Sequence, residues 1–246
     1  MKKFLAALQL LTIIPVKIKN LQDDDIAGSA GFFPMVGLII GAILLGLDYL
    51  ICLFMPVMAA NVILLLLWVI LTGGLHLDGL ADTVDGFSAG GDKDRILKVM
   101  GDPATGAKGV VSLILVLLIK FSILCCLGGH VRMLALLTAP LFSRYSLMFA
   151  AFSSKPAHDG MGTKFMKLGL RSAKLDILFN TFLVIFFIYL SDLSGIWGIA
   201  SALLFTLLFV QYCNKKIGGM TGDTLGALNE ITEAIVLLCM LVVRMR

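Results

Sequence analysis

The stretch "VILLLLWVILTGGLHLDGLADTVDG", residues 62–86, runs from ten apolar residues straight into three aspartates. Val62–Leu71 reads as part of a membrane-crossing helix. Asp78, Asp82 and Asp85 follow at spacings of four and three. A carboxylate left at the centre of a bilayer costs about 2.5 kcal/mol or more, so three of them predict that the chain leaves the hydrocarbon near Gly73 and Gly74.

The rest of the chain agrees. Of its 246 residues, 59% are hydrophobic and 15% charged, and the mean hydropathy is +0.99. A soluble domain carries about 25% charged residues. The composition predicts an all-α polytopic membrane protein, one integral-membrane domain over residues 1–246. Seven stretches are long and apolar enough to span, near 33–55, 58–74, 109–129, 133–152, 175–191, 195–213 and 225–243. Phe4–Ile14 is too short to cross. It reads as a short interfacial or re-entrant helix and not as a signal peptide, because Lys17 stands where a small-residue cleavage site would be. Cys52, Cys125, Cys126, Cys213 and Cys239 all lie in apolar stretches without a C-x-x-C pair, and read as packing residues.

The basic residues then set the sidedness. Four connecting segments carry fifteen Lys and Arg: Lys2, Lys3, Lys17 and Lys19; Lys93, Arg95, Lys98 and Lys108; Lys155, Lys164, Lys167, Arg171 and Lys174; Lys215 and Lys216. With seven spans, all four share one side. The other side holds Arg132, Arg244 and Arg246. The positive-inside rule makes the N-terminus and the aspartates cytoplasmic. The net charge of +4 thus reports topology, and no nucleic-acid partner is expected. Two further polar, Gly-rich segments fall on the same side, "MGDPATGAKGV" (100–110) and "GGMTGDTLGALNEITE" (218–233).

On a helix, residues 78, 82 and 85 share an arc of about 60°. No Lys or Arg lies among them, and like charges so placed repel. A divalent cation is the simplest relief, and all-oxygen ligands favour Mg²⁺, Mn²⁺ or Ca²⁺. A solvated loop with capping aspartates is the plainer alternative. His76 falls on the far side of such a helix and reads as an orienting hydrogen-bond group. Asp102 and Thr105 sit in a Pro/Gly turn that either cradles a phosphate or is a simple capped turn. Thr221, Asp223 and Thr224 open the last span, where a helix N-terminus favours an anion or where the acid is itself the cap. Lys120, Arg144, Glu230 and Glu233 fall inside predicted spans. Glu230 and Glu233 share a face and either complete a metal shell or pair with Arg144. Lys120 has no evident partner and is free to snorkel.

"FFPMVGLIIGA", "GGLHLDGLADTVDG", "GDPATGAKGV", "SR" at 143–144 and "GGMTGDTLGA…NEITE" occur in that order. Together they closely resemble the cobalamin synthase family, the adenosylcobinamide-GDP ribazoletransferases, from about residue 4 to the last span. The third segment departs from the family, which usually has Asp-Ser where this chain has Asp102-Pro103. The resemblance implies the last assembly step of cobalamin. The cobinamide phosphate of adenosylcobinamide-GDP passes to a hydroxyl of α-ribazole or its 5′-phosphate, GMP leaves, and the reaction depends on Mg²⁺ at the cytoplasmic (inner) membrane. On this reading Asp78, Asp82 and Asp85 bind metal with Glu230 and Glu233, and Asp82 and Asp85 are catalytic, Asp85 being a candidate general base. His76, Asp102, Thr105, Arg144, Thr221, Asp223 and Thr224 contact substrate.

Three rival readings carry less of the sequence. Asp82-x-x-Asp85-Gly86-x-x-Ala89 opens like the CDP-alcohol phosphotransferase signature, but Gly90 replaces its arginine and the second half is absent. Intramembrane prenyltransferases carry a second Asp-rich motif that this chain lacks. An ion-coupled transporter places its acids near the midplane, often in repeated halves, and here they gather at one face without a repeat.

Overall fold

The computed structural model describes residues 1–158, 166 and 174–244. Lys164, Lys167, Arg171 and Arg246, four of the charges used above for sidedness, lie outside them. The described elements are helical: α1 (Lys2–Leu11), α2 (Asp23–Ser29), α3 (Phe33–Cys52), α4 (Val57–Leu71), α5 (Leu75–Ala89), α6 (Lys93–Met100), α7 (Ala107–Cys126), α8 (Gly129–Ser153), α9 (Lys174–Ile217) and α10 (Gly222–Arg244). Among the described residues the sole β-type pairing is an isolated bridge between Pro156 and Met220.

Among the described residues, five helices are long and apolar enough to cross a bilayer, and α4 with α5 makes a sixth as a pair bent by 87°. The long α9 accounts for the remaining difference from the seven stretches read in the sequence. Asp192 has φ 51° and ψ −141° inside it. A Cβ placed on Gly195 would lie 3.0 Å from the Cα of Ile188, whereas seven residues of unbroken helix rise about 10.5 Å. The chain therefore turns back at Asp192, between the predicted spans 175–191 and 195–213. The N-terminal segment is the short helix α1, as expected.

The bundle is built round α8, of which 78% is buried over its most apolar 18 residues. Gly37 and Gly41 of α3 lie directly on its backbone: a Cβ on Gly41 would stand 2.7 Å from the carbonyl oxygen of Leu136, and one on Gly37 would overlap that of Pro140. Small residues four apart give two membrane helices this close approach. The surface left outside is apolar, with Leu66, Val111, Leu118, Phe182 and Leu204 all exposed, as a lipid-facing surface requires. At the end of α3 remote from the N-terminus, Arg132 donates to Asp48, to Asn61 Oδ1 at 2.6 Å and to the Leu124 carbonyl at 2.6 Å. This buried cluster ties α3, α4, α7 and α8 together.

Candidate active site

The bend between α4 and α5 places the acids. Gly73 and Gly74 take φ of +64° and +67°, left-handed values that cost glycine little. Through them the chain swings into α5. At one end of α5, Gly79 meets the first turn of α10, where a Cβ would stand 2.9 Å from the Asp223 Cα. Gly226 meets α5 in return, 3.2 Å from the His76 Cα by the same measure. At the other end, Asp85 meets the start of α7. So α5, the second half of the bent pair, packs along the first halves of α7 and α10, with Leu80 against Val116 and Ala227. The two glycines let the helices touch backbone to backbone, and this brings Asp223 to the aspartate face.

Asp78 is exposed, while Asp82, Asp85 and Asp223 are half-buried. Asp82 is partly buried and stands in the field of Asp78, Asp223 and Asp85. Asp82 is thus the member that most feels the crowding of negative charge. Asp85 is differently placed. Its two oxygens accept the backbone N–H groups of Gly106 at 2.7 Å and Gly109 at 2.8 Å, which makes it the cap of α7. No spacing rule announces that partnership, since the cap stands 21 residues before the glycine it binds.

Thr221 and Thr224 cap α10 reciprocally. The Thr224 hydroxyl accepts the Thr221 N–H at 2.7 Å, and the Thr221 hydroxyl accepts the Thr224 N–H at 3.1 Å. The Thr221 hydroxyl also donates toward Asp223 at 3.5 Å. The segment before α10 is pinned by Met220, whose N–H donates to the Lys155 carbonyl and whose carbonyl accepts the Ala157 N–H. That pairing brings His158 within electrostatic reach of Asp223, a neighbour absent from the sequence reading. Asp102 accepts the Ala104 N–H at 2.9 Å and closes a local turn. Asp102 and Thr105 are both exposed.

Glu230, Glu233 and Arg144 form a separate group deeper in the bundle, with Lys120. Lys120 donates to Glu230 at 2.6 Å and to Glu233. Arg144 pairs with the other oxygen of Glu233, and Asn229 donates to both glutamates. Glu233 and Arg144 are fully buried, Lys120 and Glu230 nearly so. Glu233 thus makes the pairing with Arg144, while Glu230 pairs with Lys120 instead. Lys120 does not snorkel; it is 3% exposed and faces the pair, 5.0 Å from the centre of the Trp68 ring. Sequence reasoning missed this pairing because Lys120 and Glu230 stand 110 residues apart. His76 lies between the two groups. It is 5% exposed and lies near the charges of Arg144 and Lys120. All five cysteines are free.

The donor set Asp78, Asp82, Asp223 with Asp85 behind it suits a hard cation: it is all oxygen, and no Lys or Arg among the described residues pairs with these acids. No three described side chains already converge as a closed metal cage. Mg²⁺ does not demand one, since it keeps several waters and is usually held by one or two carboxylates together with substrate phosphates.

Residues 3–241 match the protein family described as "Cobalamin-5-phosphate synthase". The chain belongs to this family. It is 37% identical over 245 residues to the adenosylcobinamide-GDP ribazoletransferase of Geotalea daltonii, covering 99% of this chain and 98% of that one. It is 37% identical over 243 residues to the enzyme of the same name from Caldanaerobacter subterraneus subsp. tengcongensis, covering 96% of each. It is 39% identical over 246 residues to that of Clostridium botulinum strain Loch Maree, covering 97% of this chain and 96% of that one. No solved structure matches the chain. The two stretches on which the resemblance chiefly rests fall at the proposed site: "GGLHLDGLADTVDG" is the bend and α5, and "GGMTGDTLGA" leads into the start of α10.

Proposed function

We propose that this protein is an adenosylcobinamide-GDP ribazoletransferase of the cytoplasmic (inner) membrane, with its site on the cytoplasmic face. It transfers the cobinamide phosphate of adenosylcobinamide-GDP to a hydroxyl of α-ribazole or α-ribazole 5′-phosphate and releases GMP. Beside family membership, the observation that carries this reading is the Gly79–Asp223 contact, which brings Asp223 to the helix that carries Asp78, Asp82 and Asp85. Phosphoryl transfer is catalysed mainly by positioning and charge neutralisation. Asp78, Asp82 and Asp223 would hold Mg²⁺, which supplies neutralisation of the pyrophosphate charge when bound.

The chain's own residues do the rest. Asp85, fixed by two backbone N–H groups, sets the distance between α5 and α7. Asp82, in the middle of that face, is the carboxylate proposed to accept the proton of the attacking hydroxyl as its oxygen bonds to phosphorus and GMP leaves. The Lys120–Glu230–Glu233–Arg144 group holds α7, α8 and α10 in register beneath them. Asp102 and Thr105, on an exposed turn, are proposed contacts for substrate phosphate.

The test is GMP release by the purified protein in detergent. GMP should appear only when adenosylcobinamide-GDP and α-ribazole or its 5′-phosphate are both present, vanish with EDTA, and return with Mg²⁺. Absence of acceptor-dependent GMP release from folded protein would overturn the assignment.

A further inference from the structure

Lys93 is the first residue of α6, and the positive end of a helix dipole is an unfavourable place for a cation. Its tertiary partner lies 64 residues away: the Lys93 ammonium donates to the carbonyl of Ala157 at 2.8 Å. It also lies against Gly218, whose would-be Cβ stands 3.4 Å from the Lys93 Nζ. Ala157 is buried and belongs to the segment 155–157 that pairs with Met220. The Ala157 N–H donates to the Met220 carbonyl at 2.9 Å, and the Met220 N–H donates to the Lys155 carbonyl at 2.8 Å. Gly219 makes room for this crossing, since a Cβ there would overlap the Lys155 carbonyl and stand 2.8 Å from the Ala157 nitrogen. Lys93 thus touches both segments where they meet. Both ends of this run of contacts lead to the aspartates. At one end α6 is seated on α5, where a Cβ on Gly86, the residue after Asp85, would stand 3.1 Å from the Ile96 carbonyl oxygen. At the other end, residues 218–220 run into the Thr221–Thr224 cap and Asp223. The place of Asp223 beside α5 is therefore set twice, directly by the backbone of Gly79 and round the outside through α6, Lys93 and residues 155–157.

We infer that Lys93 is a positioning residue for the aspartate face: by holding the Ala157 carbonyl it fixes residues 155–157 on 218–220, and so fixes Asp223 against α5. The inference rests on the transferase reading, in which Asp223 holds Mg²⁺, and adds a residue that acts on the site through the backbone alone. A metal site depends on how its ligands are oriented by the groups behind them. Asp223 lies in the first turn of α10, so a shift of residues 218–220 moves its carboxylate directly. Lys93 itself is exposed and buries no apolar surface. Its contact therefore matters more to where the segments lie than to whether the chain folds.

The experiment uses the full chain in detergent. Melting temperature and the rate of GMP release with both substrates are each measured against Mg²⁺ concentration. Lys93→Met keeps the length of the side chain and removes the donor. Without Mg²⁺ it should melt near wild type, because an exposed residue gives up one hydrogen bond. It should need about five-fold more Mg²⁺ for the half-maximal rate and for the half-maximal melting shift, less than the roughly 10–100-fold lost when the direct partner of a metal ligand is removed. Lys93→Arg restores a donor and should recover most of the Mg²⁺ affinity. Gly219→Ala displaces the same segment from the other side and should raise the Mg²⁺ requirement by itself. Adding Lys93→Met to it should then change little, since changes that act through one shared element are not independent. If Gly219→Ala does not fold, Lys93→Met and Lys93→Arg decide alone. A wild-type Mg²⁺ requirement in Lys93→Met, whatever its melting temperature, overturns the inference. Effects that multiply in the double variant would put Lys93 on a separate route and overturn it too. If wild type responds to Mg²⁺ in neither rate nor melting, the metal role of Asp223 fails and this inference with it. If wild type releases no GMP but its melting still shifts with Mg²⁺, the transferase reading fails, and the melting shift alone decides the role of Lys93.

Discussion

The Lys120 ammonium lies 2.6 Å from a Glu230 carboxylate oxygen, and this contact joins α7 to α10 inside the bundle. Glu233 takes Lys120 on one oxygen and Arg144 of α8 on the other, so two cations meet two anions. Such a group is costly to assemble in a low dielectric and far costlier to break. Glu233→Gln strands a buried cation at a cost of about 3–5 kcal/mol and should lower the melting temperature clearly. Glu230→Gln leaves the Arg144–Glu233 pair in place and should do less. In both, the Mg²⁺ concentration for half-maximal rate should match wild type. A raised Mg²⁺ requirement with unchanged melting would return these glutamates to the metal shell.

Gly79 makes a different kind of demand. A Cβ there would stand 2.9 Å from the Asp223 Cα and 2.8 Å from its carbonyl oxygen, and backbone has little room to yield. Gly79→Ala should push α5 off α10, at a cost of about 1–3 kcal/mol from overpacking. It should also spread the aspartates and lower kcat/KM at least ten-fold, the scale expected when reacting groups are displaced by about 1 Å. Gly46→Ala is the control. Nothing lies within 4 Å of its would-be Cβ, and its activity should equal that of wild type.

The sequence carried the site's acids more clearly than their partners. Spacings of four and three put Asp78, Asp82 and Asp85 on one face whatever the tertiary fold, and an apolar run before them located that face at a membrane boundary. The seven apolar stretches were legible for the same reason, since span length follows bilayer thickness. The spacing of Glu230 and Glu233 likewise fixed a shared face but not what faces it, because Lys120 reaches them only through packing of α7 on α10. Asp48 went unnoticed in its span for want of Arg132, 84 residues away. The glycines at 79 and 226 were visible as glycines. That they bring α5 and α10 together is a property of two helices, which neither local sequence contains.

Asp82 and Asp85 should separate cleanly under the same substitution. Asp82 lies in a field of like charge, so Asp82→Asn relieves repulsion. The metal-free protein should melt at the same temperature or higher, with turnover abolished. Mg²⁺ at 100 times its Kd should stabilise wild type by about 2.7 kcal/mol, and this shift should disappear in the variant. Asp85→Asn offers one oxygen where two backbone N–H groups need acceptors. It should lose about 0.5–2 kcal/mol, the usual cost of a lost cap, with or without metal. Turnover by Asp82→Asn at the wild-type rate would remove the aspartate face from the reaction.

The orientation of the site can be read from outside the cell. Ser88 is exposed near the end of α5, and Lys108 at the start of α7 donates to its carbonyl at 3.4 Å. Phe54 is 84% exposed, in the connection between α3 and α4 at the opposite end of the bundle. The clustering of basic residues on the α5 side predicts that this side is cytoplasmic. In a background with all five cysteines replaced, Ser88→Cys should resist a membrane-impermeant thiol reagent in intact cells and react once the membrane is opened. Phe54→Cys should react in intact cells. The pair guards against a misleading silence, because a thiol hidden in lipid would stay unlabelled in both conditions, whereas a cytoplasmic one reacts after permeabilisation. Labelling of Ser88→Cys in intact cells would place the aspartates on the outer face, away from a cytoplasmic supply of nucleotide-activated substrate, and would overturn the proposed orientation.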